Sequence, residues 1–258
     1  MKKTVLIAAL LLEFVGVKAQ TNIQEMYDFG RKHMTTTLEM FKGDNWGSTF
    51  FFVDIYHTNN IAPTDFYAEI ARTINFWGRN TSIGDNFVNN LSLHVEWNGG
   101  NGIYDLGALG WGGYPVNNAW LAGIEYFIAN NDFSQRLTLE VLYKNIRGTK
   151  AGFDKTADVP LQFTAVWGLD NLFGVRGLSF CGFADFWWEN NSWVNVDDGT
   201  VTNTTTTFLT EPQLWYQVGR HFNCDNLNIG GEIEIAHNFA GADLGWTVRP
   251  CLGIKWGF

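Results

Sequence analysis

Carboxylates in this chain recur beside aromatic rings on stretches that alternate residue by residue. Phe50, Phe52, Asp54 and Tyr56 fall at every second position, as do Tyr67 and Glu69, His94 and Glu96, and Asp185 and Trp187; Glu125, Glu211, Glu232 and Glu234 stand in similar stretches. A ring face stacks on a planar solute, and a carboxylate accepts from hydroxyl and N–H groups. Base–aromatic stacking is worth roughly 1–3 kcal/mol per base, which suits transient binding. A wall rich in carboxylates repels phosphates and carboxylates and tolerates neutral or cationic solutes. Catalytic patterns are missing by comparison. The Gly-rich stretch 99–113 lacks the Lys and Ser/Thr ending of a phosphate-binding loop. Cys181, Cys224 and Cys251 are an odd number and show no metal-ligand spacing. No catalytic residue, metal or cofactor is expected.

The elements that carry these residues alternate with period two, the signature of strands with two unlike faces. In 87–97, Leu91, Leu93, Val95 and Trp97 share one face and Ser92, His94 and Glu96 the other. In 135–145, Leu137, Leu139, Val141 and Tyr143 oppose Arg136, Thr138, Glu140 and Lys144. The pattern predicts eleven strands: 33–42, 48–57, 65–77, 87–97, 117–128, 135–146, 159–168, 177–188, 205–218, 227–238 and 245–258. A closed up-and-down barrel with both ends on one side needs an even number. We place the twelfth strand, fifth in order, within 98–116, around Ile103 to Leu109. Connections then divide into short ones on one side (58–64, 98–102, 129–134, 169–176, 219–226) and longer ones on the other, among them 147–158 and 189–204. The fold class is therefore all-β, a 12-stranded antiparallel up-and-down transmembrane β-barrel.

Strand lengths of 10–13 residues match a tilted bilayer span. Trp46, Trp77, Trp97, Trp120, Trp167, Trp188, Trp246 and Trp256 sit near predicted strand ends, as an interfacial girdle requires. With the apolar faces toward lipid, ten mid-strand acids point inward: Glu39, Asp54, Glu69, Glu96, Glu125, Glu140, Asp185, Glu211, Glu232 and Glu234. Four bases oppose them: Arg136, Lys144, Arg249 and Lys255. Three residues fit poorly. Arg72 falls on the apolar face, so it either snorkels or marks a bulge. Pro212 and Pro250 lie inside strands and should mark bulges or strand ends near the rim.

Composition agrees. The chain has 258 residues with 12 Trp, 21 Phe and 8 Tyr, a charged fraction of 17% and a net charge of −9, too much apolar surface for disorder. Beyond the first twenty residues no apolar run reaches the ~18–20 residues of a spanning helix. Residues 1–19 read as a removable export leader: Lys2 and Lys3, an apolar stretch from Val5 to Leu12, then Val17-Lys18-Ala19. Its loss takes away three lysines and one glutamate and leaves the barrel domain 20–258 near −11, a poor match for nucleic acid.

With these strands in place, the chain resembles the Tsx-like nucleoside-specific channel-forming outer-membrane proteins, and within them Bacteroidetes-type members. The resemblance is diffuse over 33–258 and clearest at 48–57, 64–77 (TDFYAEIARTINFW), 176–189 (RGLSFCGFADFWWE) and 253–258 (GIKWGF). It implies a twelve-stranded barrel in the outer membrane of a Gram-negative bacterium, in contact with outer-membrane lipid and passing nucleosides or similar small neutral solutes. It also implies that the strand ending in Phe258 is read by the outer-membrane assembly machinery. Two other readings stay open. A plugged structural or adhesive barrel would use the loops 189–204 and 147–158. A lipid hydrolase would need an outward His beside an outward Ser, and His237 has no Ser on the neighbouring predicted strands.

Overall fold

The structure is a computed structural model that describes residues 20–58, 65–76, 87–105, 108, 110–146, 157, 159–195, 197–239 and 244–258. The expected leader 1–19 and Trp77 lie outside the described residues. Twelve antiparallel strands close into a barrel: β1 Gln20–Asp28, β2 His33–Asp44, β3 Gly47–His57, β4 Asp65–Ile74, β5 Leu91–Asp105, β6 Trp111–Ala129, β7 Gln135–Ile146, β8 Leu161–Asp170, β9 Leu178–Val194, β10 in two segments Val201–Thr210 and Gln213–Tyr216, β11 Leu227–His237 and β12 Trp246–Gly257. Each strand pairs with its chain neighbour, and β1 pairs with β12, from Asn22 opposite Gly257 to Asp28 opposite Cys251. No sheet edge remains among these strands.

The strand count agrees with expectation, but the twelfth strand is elsewhere. It is β1, directly after the expected leader. The described residues of 98–116 form no separate strand; they lengthen β5 and β6, which pair with a bulge between Asn98 and Gly100. At Gly100 a Cβ would stand 2.2 Å from the Phe66 carbonyl oxygen, so a larger residue would push the strands apart. The misplacement also reversed some connections. β3 ends at His57 and β4 begins at Asp65 on the rim opposite Gln20 and Phe258, whereas 130–134 lies at the rim that carries those two residues.

Outside, the wall is apolar. Ile23, Leu38, Ile70, Leu93, Val95, Ile124, Leu139, Val141, Phe163, Ile229, Ile233, Leu252 and Ile254 are all exposed large hydrophobics. Inside lie the polar members of the same strands, among them Gln24, Thr37, His94, Glu125, Glu140, Lys144 and Glu234, nearly all removed from solvent. A soluble barrel has the reverse polarity; a continuous apolar exterior is the surface of a barrel that stands in lipid.

The three awkward residues are now placed. Arg72 faces outward with its register unbroken on both sides, so there is no bulge there. It reaches toward the terminal rim and binds Asp44 twice, at 2.7 and 3.0 Å, and the Thr49 hydroxyl at 3.0 Å. Pro212 splits β10, and its carbonyl accepts from Ile233 N–H. Pro250 lies within an unbroken ladder opposite Ile233, contrary to a bulge. Its missing N–H falls on the β1 side, just beyond the last β1 pair at Asp28, where only Phe29 N–H reaches back to the Pro250 carbonyl. Trp97 and Trp120, expected near strand ends, face each other within the longer β5 and β6. The turns are tied by acids outside the wall. Asp132 accepts from the Ser134 hydroxyl and N–H, Asp198 from the Thr200 N–H and hydroxyl, and these bonds hold both carboxyls below the ordinary range.

Candidate functional site

All the acids expected to point inward do so, and the lumen sorts them onto two facing walls. On the β4–β9 wall, Tyr67 donates to Glu69 (2.6 Å), His94 Nε2 lies 3.0 Å from Glu96, and Thr164 donates to Asp185 (2.5 Å). Trp187 donates to Glu189 (2.8 Å) and lies under the Lys144 ammonium, which also donates to Gln162 (2.7 Å). Glu125 and Glu140 stand opposite each other across β6 and β7, both close to the His94 ring. Among the described residues, His94 and Lys144 are the bases that stand with the carboxylates of Glu69, Glu96, Glu125, Glu140 and Asp185 on this wall.

On the β10–β3 wall the acids are better matched. Asp28 Oδ1 accepts from the N–H groups of Gly30 and Arg31 and so shapes the β1–β2 turn. That turn sends the Arg31 guanidinium into the lumen, where it holds Asp28 at 2.8 Å and Glu234 at 2.7 and 2.9 Å. Arg249 also reaches Glu234 (3.0 Å), Gln213 donates to Glu232 (3.0 Å), and Thr37 to Asp54 (2.5 Å). Tyr56 and Glu211 complete this group. Rings run between the walls: Phe50 to Phe52 and Phe52 to Tyr67, each with centroids 6.0 Å apart.

Of the sequence-derived residues, Tyr67, Glu69, His94, Glu96, Glu125, Asp185 and Trp187 belong to the first wall, and Asp54, Tyr56, Glu211, Glu232 and Glu234 to the second. Phe50 and Phe52 stand between them. Arg136, counted with the lumen bases, instead pairs with Asp170 at the terminal rim, where both side chains are more than a third exposed. Arg31 and Asp28 were missed because β1 was. The available signal was the alternation of Asn22, Gln24 and Met26 against Ile23 and Tyr27. The apolar filling of the lumen was also missed. Met26, Trp215 and Cys251 form one buried cluster with Cys181 against it, and Ala119, Leu121 and Leu142 another.

The outer face carries two further features. A groove of about 410 Å³ runs along Ile70, Arg72, Val95, Trp97 and Trp120. The Thr36 hydroxyl donates to Glu25 (2.6 Å) and lies 2.9 Å from His57 Nε2.

A family model described as a domain of unknown function, DUF5020, matches residues 19–258. The chain belongs to this DUF5020 family. No curated protein matches it. Among solved structures, this DUF5020 chain is similar to one titled "NanC porin structure in rhombohedral crystal form", at 9% identity and a TM-score of 0.49, covering 92% of this chain and 98% of that one.

Proposed function

We propose that the chain is an outer-membrane channel for small neutral or cationic solutes, with nucleosides, as in the Tsx-like family, the preferred class. The observation that carries this reading is the inner wall: carboxylates in excess of bases, interleaved with the Phe50–Phe52–Tyr67 ring run. An anionic solute meets repulsion along both walls. A nucleoside finds ring faces for its base and acceptors for its hydroxyls and N–H groups, each weak enough to release it. Reconstituted in planar bilayers, the barrel should conduct cations over anions, and millimolar nucleosides should reduce its current while nucleotides do not. Equal passage of chloride and potassium, or block by nucleotides alone, overturns the proposal.

The second reading, a plugged structural barrel, draws on the depth of packing in the lumen. Trp187 is 3% exposed and Trp215 1%, each wedged beside a lysine. It predicts no conductance at any potential. Lipid hydrolysis finds less support. At Thr36 the hydroxyl lies between imidazole and carboxylate, whereas a nucleophile needs the imidazole between itself and the acid, so that the acid orients the base.

A further inference from the structure

We propose that the groove on the outer face of β4, β5 and β6 holds one zwitterionic phospholipid, with its phosphate at Arg72, its ammonium at Asp44 and an acyl chain along Ile70, Trp97 and Trp120. The proposal rests on the apolar exterior of the barrel and not on the passage of any solute. Strand register builds the groove. Thr49 stands opposite Arg72 and Arg72 opposite Val95; two residues farther along β4, Ile70, Trp97 and Trp120 stand in line. The space they enclose is about 410 Å³. Trp97 Nε1 donates to Asn118 (3.2 Å), and a Cβ at Gly99 would come within 2.5 Å of the Trp97 ring, so the indole is held along the wall.

The groove is charged at one end only. Arg72 lies close to the terminal-rim end of β4 at Ile74, and Asp44 ends β2 at the same rim. Ile70, Trp97 and Trp120 lie farther from that rim, toward the middle of the wall. Ile70 and Trp120 are 50% and 53% exposed. A charged head at the rim and an apolar trough leading away from it is the order of a phospholipid within one leaflet, headgroup at the interface and chain in the hydrocarbon.

The charged end carries both signs. Arg72 spends three of the five N–H donors of a guanidinium on described residues, two on Asp44 and one on Thr49. Both side chains of the pair keep about a third of their surface open, 33% for Arg72 and 39% for Asp44. Hydrocarbon has no water to offer such groups, so a polar partner has to come from the lipid itself. Phosphate oxygens match the guanidinium fork, and a primary ammonium matches the carboxylate. A headgroup with phosphate alone meets repulsion from Asp44. A headgroup with both charges answers both members of the pair.

The test uses the full barrel, delipidated and folded in detergent. Native mass spectrometry counts the lipids it retains on titration with phosphatidylethanolamine or with phosphatidylglycerol, whose headgroup has no ammonium. The native barrel should retain one phosphatidylethanolamine and bind it about fivefold more tightly than phosphatidylglycerol, the upper end for one exposed charge pair. Asp44→Asn should erase or reverse that preference, and Arg72→Gln should weaken both lipids. Trp120→Ala should weaken both through lost chain contact and keep the preference. Asp170→Asn, at a second exposed ion pair of the terminal rim, should leave binding unchanged. Heat-modifiable mobility on gels reports that each variant is folded. Equal retention of the two lipids by the native barrel, or an unchanged preference in folded Asp44→Asn, overturns the site. So does a dimer in detergent that Trp120→Ala dissociates, which assigns the groove to a second copy of the chain. None of these readouts needs solute flux, so their outcome is separate from that of the channel proposal.

Discussion

Arg31 grips Glu234 with two hydrogen bonds of 2.7 and 2.9 Å across 203 positions of chain, joining the first turn of the barrel to its eleventh strand. Glu234 is 8% exposed and Arg31 26%, so the pair is largely dry but reaches solvent at one end. Removing the guanidinium would leave Asp28 without its side-chain partner and Glu234 with Arg249 alone. Arg31→Ala should cost about 2–3 kcal/mol in urea unfolding from micelles, below the 3–5 kcal/mol of a fully buried pair because of that exposure. It should also raise cation selectivity in bilayers. Unchanged stability would mean that the pair does not tie the turn to the wall.

The ring run makes a second prediction. If Phe52 and Tyr67 stack on the base of a passing nucleoside, Phe52→Ala or Tyr67→Ala should raise the half-blocking concentration about fivefold or more. That corresponds to the lower part of the 1–3 kcal/mol range per stacked base. Conductance of potassium alone should fall little, since neither ring carries charge. Equal nucleoside block in both variants contradicts the stacking role.

Arg72 stands on the apolar wall but is anchored toward the terminal rim. Its pair with Asp44 is about a third exposed on each side, and exposed pairs contribute little. Arg72→Ala should therefore change unfolding stability by less than about 1 kcal/mol. A larger loss would place its guanidinium deeper in lipid than the rim.

The turn acids give a prediction in pH. Asp132 and Asp198 have folded pKa values below the ordinary 3.8 because the protein donates hydrogen bonds to their charged forms. Such groups stabilise the fold above the unfolded pKa and lose that contribution as pH falls through the lower folded value. Carboxyl titrations followed by NMR should put both midpoints below 3.8, with Ser134→Ala raising the first and leaving the second alone. Midpoints at or above 3.8 would show these turn bonds to be absent in solution.

Most of the architecture was legible because a two-faced wall writes itself into every strand. Leu137, Leu139 and Val141 against Thr138 and Glu140 declare their faces without any knowledge of neighbours. β1 was not legible in the same way. Its outward row, Ile23, Glu25 and Tyr27, is interrupted by a glutamate that finds Thr36 only once the strands pair, and its inward row includes the apolar Met26. The Gly-rich stretch misled for a complementary reason, since glycines that let strands approach also look like turns. The lumen acids could be named from alternation. Their partners could not, because Glu125 meets Glu140 and Arg31 meets Glu234 through register and closure, which no local pattern carries.

The seam between β1 and β12 joins segments from opposite ends of the described chain. Bringing such distant segments together costs loop-closure entropy, and no local contact repays it in advance. Until the closing strand arrives, every partly assembled form presents two unpaired borders able to capture a second chain. The order of assembly is thus built into the topology: closure comes last, and until then the two borders are more open to other chains than any interior surface.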